Sequence, residues 1–83
     1  MISDRKMNPK PGSYTSELFE KGTKKIAQKV GEEATEVNLE AMEGNRELLI
    51  EETSDLLYHL ITLLQDQGVN LSDVEEKLRE RHQ

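Results

Sequence analysis

The chain has 83 residues, a formal net charge of −6 and a hydrophobic fraction of 34%, with one Phe and no Trp. A domain of this size buries only roughly 60% of the surface that its unfolded chain exposes, so a homo-oligomer is expected to complete the thin core. The acidic balance argues against general nucleic-acid binding. The lack of cysteine excludes disulfides and zinc–thiolate sites, and it suits a reducing cytoplasm. No apolar run is long enough to span a membrane.

Residues 1–12 form a polar, basic segment whose prolines and glycine predict a loop, and we expect the domain to span residues 13–83. Ser13 is a candidate N-cap for a first helix. Gly22 predicts a kink or the end of that helix. The apolar face of the helix consists of Tyr14, Leu18 and Phe19.

The second helix has the clearest periodicity in the chain. Gly31 lies within it, and we favour close helix packing over the approach of a ligand as the reason for a glycine there. Gly44-Asn45 supplies the stop signal. The apolar stripe that defines the helix steps by three or four residues and consists of Ile26, Val30, Ala34, Val37 and Ala41.

A third helix begins near Asn45 or Arg46 and ends at Gly68, and its second half is apolar over a wide arc that requires more than one neighbour. Asn70 or Ser72 caps a short fourth helix. Because no segment alternates with period two, the sequence predicts an all-α domain of about four helices. The wide apolar arc in so small a domain further predicts that it forms a helical-bundle homodimer. The apolar positions of the third helix are Leu49, Leu56, Leu57, Leu60, Ile61, Leu63 and Leu64.

Two helical turns carry clustered carboxylates. On the second helix these are Glu32, Glu33 and Glu36, and on the third they are Glu52 and Asp55. Residues three and four apart share a helix face, where like charges repel. Carboxylate oxygens are also the ligands that Mg²⁺ prefers, so the two turns predict either a shared cation site or a solvated acidic face.

The pattern Glu33-x-x-Glu36, then fifteen residues, then Glu52-x-x-Asp55 resembles the signature of the all-α nucleoside-triphosphate pyrophosphohydrolases, the MazG-like superfamily. Three further segments make the likeness closest to the phosphoribosyl-ATP pyrophosphohydrolases: SYT at 13–15, KVGEEATE at 29–36 and DLLYHL at 55–60. The resemblance runs from about Arg5 to the last residue. Most members carry a longer helix ahead of this point, so the chain is expected to be a short form or one half of a fused enzyme.

This resemblance implies the second step of histidine biosynthesis, in which phosphoribosyl-ATP is hydrolysed to phosphoribosyl-AMP and pyrophosphate. It also implies Mg²⁺, a dimer and fusion to, or cooperation with, phosphoribosyl-AMP cyclohydrolase. The implied metal ligands are Glu33, Glu36, Glu52 and Asp55. Either Glu32 or Glu33 is expected to orient or deprotonate the attacking water.

Positive and neutral side chains near the acidic turns are candidates for substrate contacts. Lys25 and Lys29 lie two turns and one turn before the acidic turn, respectively, where they can meet phosphates, although pairing with nearby glutamates is the alternative. His59 follows Asp55 by one turn and is a candidate substrate contact or a buried histidine. Two other functions stay open: a MazG-type pyrophosphohydrolase of free nucleoside triphosphates, and a non-enzymatic acidic interaction module.

Overall fold

The computed structural model describes residues 14–82, which form four α-helices and no strand. The helices are α1 (Tyr14–Lys21), α2 (Thr23–Glu43), α3 (Arg46–Asp66) and α4 (Leu71–Arg81). The predicted all-α class and helix number are confirmed. The predicted N-terminal segment 1–12 and the Ser13 cap lie outside the described residues.

Glycines at positive φ and asparagine caps set the helix boundaries. Gly22 at φ 92° separates α1 from α2, and Gly44 at φ 74° ends α2 in the left-handed conformation that glycine adopts without steric cost. The Asn45 side chain then accepts a bond from the Leu48 N–H at 3.1 Å, which caps α3. At the start of α4, the Asn70 N–H donates to Asp73 Oδ2 at 3.0 Å.

The short Gly44–Asn45 connection folds α2 and α3 into an antiparallel hairpin, and α1 packs on α2. The open end of the hairpin is tied by side chains. The Thr23 hydroxyl donates to Asp66 Oδ2 at 2.5 Å, and the Gln67 amide donates to the same carboxylate at 3.0 Å. The start of α2 is thereby held against the end of α3.

The buried centre lies where α1 meets the hairpin, and much of it is polar. Leu18 and Ile26 are the only buried hydrophobic residues among those described, at 2% and 0% exposure. The buried polar residues are Thr15, Ser16, His59 and Thr62. Thr62, with no exposed surface, satisfies its hydroxyl by donating to the Tyr58 carbonyl at 2.9 Å.

Many apolar side chains stay exposed in the single chain, and α4 has no buried residue. The apolar arc of α3, expected to be covered by more than one neighbour, packs mainly on α2 here. None of the helices in the described part combines the length and apolarity needed to span a bilayer. The exposed large apolar residues are Tyr14, Leu39, Met42, Leu48, Ile50, Leu57, Leu71, Val74 and Leu78.

The surroundings of Gly31 differ from the close helix packing that the sequence predicted. A Cβ built on it meets nothing within 4 Å in the described structure, so close helix packing in the single chain does not explain this glycine. It lies in the middle of α2 with no positive φ. A glycine at such a position only weakens the helix.

We therefore expect Gly31→Ala to raise the free energy of unfolding by about 0.5–1 kcal/mol, because alanine loses less backbone entropy in a helix. Gly44→Ala is the matched control. It should lower the same quantity by about 1–2 kcal/mol, because φ at Gly44 is left-handed. Urea denaturation of the three proteins measures both changes, and a destabilised Gly31→Ala protein would mean that another molecule packs on this position.

Candidate active site

The hairpin places the two acidic turns opposite each other. Glu36 on α2 and Glu52 on α3 lie at nearly equal distances along the chain from the Gly44–Asn45 turn. Since both helices rise by the same amount per residue, positions equally far from the turn become neighbours. The sequence spacing between the two acidic pairs is therefore the spacing that an antiparallel hairpin needs to bring them together.

Glu36, Glu52 and Asp55 form a group of interacting carboxylates. Partial removal from water raises the pKa of Glu52, and the negative charges of Glu36 and Asp55 raise it further. Residues 14–82 contain no three His, Asp or Glu side chains already arranged as a metal site. The donor set nevertheless fits Mg²⁺, because it consists of carboxylate oxygens whose mutual repulsion a cation relieves.

Glu33 lies on the inner side of α2 and is largely buried, with 14% of its side chain exposed. Its Oε1 atom contacts Nδ1 of His59 on α3, a side chain that is 6% exposed. The contact does not have the geometry of a directed hydrogen bond, and Oε1 has no hydrogen-bond partner among the described residues. Nδ1 also lies 2.9 Å from the Asp55 carbonyl oxygen.

Glu32, adjacent in sequence, has a different environment on the exposed side of α2. Its carboxylate accepts a hydrogen bond from the Gln28 amide at 3.0 Å and lies 3.8 Å from the Lys29 ammonium. The Gln28 hydrogen bond lowers the pKa of Glu32, and the charges of Lys29 and Lys25 lower it further. The structure therefore groups Glu32 with these lysines and Glu33 with His59.

Tyr14 and Tyr58 surround His59 and were not predicted as site residues. The Tyr14 hydroxyl bonds His59 Nε2 at 2.5 Å, and the Thr15 and Tyr58 hydroxyls bond each other. Each tyrosine ring meets the imidazole edge to face, with centroids 5.5 and 5.2 Å away. Tyr14 was expected in the core, yet it is 46% exposed and joins the site through its polar end.

Burial raises the pKa of Tyr14, and the charge of Glu33 is the next cause, with smaller effects of Tyr58 and Asp55. The Tyr14 hydroxyl therefore lies within electrostatic reach of carboxylates from both acidic turns. Five of the predicted site residues thus lie along one side of the hairpin: Glu33 and Glu36 on α2, and Glu52, Asp55 and His59 on α3. Glu32 and the two lysines lie beside this group on α2.

The sequence pattern of the phosphoribosyl-ATP pyrophosphohydrolases matches residues 1–82. The chain belongs to this family. It is 55% identical over 82 residues to the histidine biosynthesis bifunctional protein HisIE of Photobacterium profundum and 52% identical over 83 residues to the HisIE protein of Escherichia coli. It is also 48% identical over 83 residues to a phosphoribosyl-ATP pyrophosphatase of Clostridium acetobutylicum.

These phosphoribosyl-ATP pyrophosphohydrolase relatives cover almost the whole chain, 99% for the first and 100% for the other two. In the other direction, the chain spans 40% and 41% of the two bifunctional proteins and 76% of the C. acetobutylicum protein. The family predicted from the acidic motif and its flanking segments is confirmed.

The raised pKa of Glu52 predicts how stability responds to pH. A carboxyl group whose pKa is raised by folding destabilises the protein once it ionises, so the cost is absent at acid pH and appears as pH rises past the ordinary glutamate range. Glu52→Gln removes this charge, and the metal-free variant should be more stable than the parent at pH 7 and no more stable at pH 3. Chemical denaturation at both pH values, in the presence of a chelator, measures the difference.

Glu51→Gln is the control, because Glu51 precedes Glu52 on the same helix and is exposed. It removes the same charge outside the carboxylate group. If the two variants gain equal stability at pH 7, general relief of net charge explains the effect, and the three carboxylates do not repel one another in solution.

Proposed function

We propose that the chain hydrolyses phosphoribosyl-ATP to phosphoribosyl-AMP and pyrophosphate, the second step of histidine biosynthesis, in the cytoplasm. Family membership over residues 1–82 carries the proposal. The opposed acidic turns support it, because a triphosphate can approach so many carboxylates only when cations lie between them. Lys25 and Lys29 precede Glu33 and Glu36 on the same helix, α2.

In the proposed mechanism, Glu36, Glu52 and Asp55, together with Glu33, would hold Mg²⁺ for the substrate phosphates. Bound Mg²⁺ supplies neutralisation of phosphate charge and polarisation of the phosphoryl oxygen. The Glu33 carboxylate orients or deprotonates the water that attacks between the α- and β-phosphates. It suits this task better than Glu32, because Glu33 is buried against the opposite helix while Glu32 lies on the exposed side of α2, paired with Gln28 and Lys29.

Lys25 and Lys29 are proposed to contact the phosphates. Lys29 is 30% exposed and its 3.8 Å pairing with Glu32 is loose for an ion pair. An exposed pair of this kind is worth little in free energy, so a phosphate group can compete for the ammonium at small cost. Lys25 lies one turn earlier on the same face of α2.

The chain is expected to release pyrophosphate from phosphoribosyl-ATP at a rate that depends on Mg²⁺, and to release no orthophosphate. Separate assays of the two products with phosphoribosyl-ATP, ATP, dTTP and dUTP measure bond and substrate preference. Glu36→Gln should remove most of the activity because it removes a proposed ligand, while Glu51→Gln should retain it.

Several outcomes would contradict parts of the proposal. Activity that survives exhaustive chelation would overturn the metal mechanism. Faster turnover of the free nucleoside triphosphates would favour a MazG-type function, and orthophosphate release would place the cleaved bond elsewhere.

We also propose that the active form is a homodimer in which α3 is buried between protomers, and that it works with or is fused to a phosphoribosyl-AMP cyclohydrolase domain; several relatives are named as bifunctional proteins. The support for a dimer is the set of large apolar side chains exposed in the single chain, which a second copy of a small domain can cover. Leu57, in the apolar arc of α3, is 52% exposed in the single chain.

Light scattering at tens of micromolar should give about twice the 9.5 kDa mass of the chain. Leu57→Gln should shift the mass toward that of a monomer, because the substitution places an unpaired amide in a buried interface. A monomer mass for the parent protein would contradict the dimer.

A further inference from the structure

His59 is held at both ring nitrogens by groups from two other parts of the fold. Nε2 lies 2.5 Å from the Tyr14 hydroxyl of α1, and Nδ1 lies 2.9 Å from the Asp55 carbonyl. The Glu33 carboxylate of α2 contacts the same Nδ1 edge. With 5% exposure and these partners, the ring faces protein groups on each side.

The partners fix which nitrogen carries the hydrogen. A backbone carbonyl and a carboxylate both accept hydrogen bonds, so Nδ1 must be the protonated nitrogen. In the neutral ring, Nε2 is then an acceptor, and the Tyr14 hydroxyl donates to it. The result is a directed hydrogen-bond chain from the Tyr14 hydroxyl through His59 to the Asp55 carbonyl, and the Glu33 carboxylate contacts the same Nδ1 edge.

We propose that Tyr14 and His59 are positioning residues: the Tyr14 hydroxyl fixes the orientation of the His59 ring, and the Nδ1 edge of the ring fixes the Glu33 carboxylate. The inference rests on the proposed function, because it assigns Glu33 the role of orienting the water. It replaces the direct substrate contact predicted for His59 with an indirect role. It also gives α1 a part in catalysis that the acidic motif does not contain.

The need for such positioning follows from the geometry of Glu33. A glutamate has three rotatable side-chain bonds, and a catalytic carboxylate is effective only when held close to one orientation. Glu33 Oε1 is buried and lacks a partner in hydrogen-bond geometry among the described residues. The imidazole edge is the group that contacts this oxygen, and the contact limits where the carboxylate can lie.

Two tyrosines allow a matched comparison, because both hydroxyls link α1 to α3 and only one bonds His59. Tyr14→Phe should lower kcat about fivefold, the effect of losing one hydrogen bond, and leave KM within about twofold. Tyr58→Phe should leave both parameters within about twofold. If the tyrosines only anchor α1, the two variants lose activity equally, and that result overturns the proposal.

Two substitutions at His59 distinguish the contribution of Nδ1 to kcat from that of Nε2. An asparagine amide lies near the position of Nδ1, and a glutamine amide reaches the position of Nε2. His59→Asn should retain more kcat than His59→Gln, whose loss should be about 10- to 100-fold, the usual effect of removing a supporting contact. Equal losses in both variants would mean that packing, rather than contact with Glu33, is what His59 supplies.

The double variant Tyr14→Phe/His59→Asn tests whether Tyr14 acts through His59. In the asparagine background the Tyr14 bond is already lost, so adding Tyr14→Phe should change kcat by less than about twofold. Independent action would instead multiply the two single effects. Melting temperatures of all variants show whether each one is folded at the assay temperature.

A readout on the metal-free protein is independent of activity. At pH of about 8.5, where imidazoles are ordinarily neutral, ¹⁵N NMR should show His59 as the Nδ1–H tautomer, and Tyr14→Phe should shift its Nε2 signal. His82→Gln assigns the two histidines. The Nε2–H tautomer in the parent protein overturns the proposal. An inactive parent protein with the Nδ1–H tautomer overturns the proposed function and makes the contact chain purely structural.

Discussion

Close opposition of like charges across the α2–α3 hairpin is the constraint on which the rest of the structure depends. Partial removal from water raises the pKa of Glu52 on α3, and the negative charge of Glu36 on α2 raises it further, because the hairpin holds these carboxylates close together. The Gly44–Asn45 turn sets this register, and the Thr23–Asp66 bond closes the other end. A shift of either helix by one residue would rotate the acidic turns apart.

The fold supports this repulsion with few buried apolar residues. Leu18 and Ile26 are joined at the centre by hydroxyl and imidazole groups, which are costly to bury unless they are hydrogen-bonded. Thr62 meets this requirement through the Tyr58 carbonyl, and His59 through Tyr14 and the Asp55 carbonyl. The centre is therefore specified by polar contacts as well as by apolar burial.

The sequence predicted the helices well because local chemistry decides their ends. Glycine and asparagine at Gly44, Asn45 and Asn70 set boundaries that hold without knowledge of the tertiary structure. The opposition of the acidic turns was also predictable, since spacing and hairpin geometry give the same answer. The role of Tyr14 was not, because hydrophobic periodicity treats tyrosine as an apolar residue and does not show which atom its hydroxyl meets across helices.

The two adjacent glutamates show where sequence reasoning stops and geometry begins. Spacing alone left Glu32 and Glu33 equivalent as candidates for the base. The structure gives Glu32 a lowered pKa beside Gln28 and Lys29 and buries Glu33 against His59. A single step along the helix, which turns the side chain by about 100°, thus separates a carboxylate paired with Lys29 from one directed at the opposite helix. The proposed mechanism needs both, since phosphate binding requires available cationic side chains and water activation requires a positioned carboxylate.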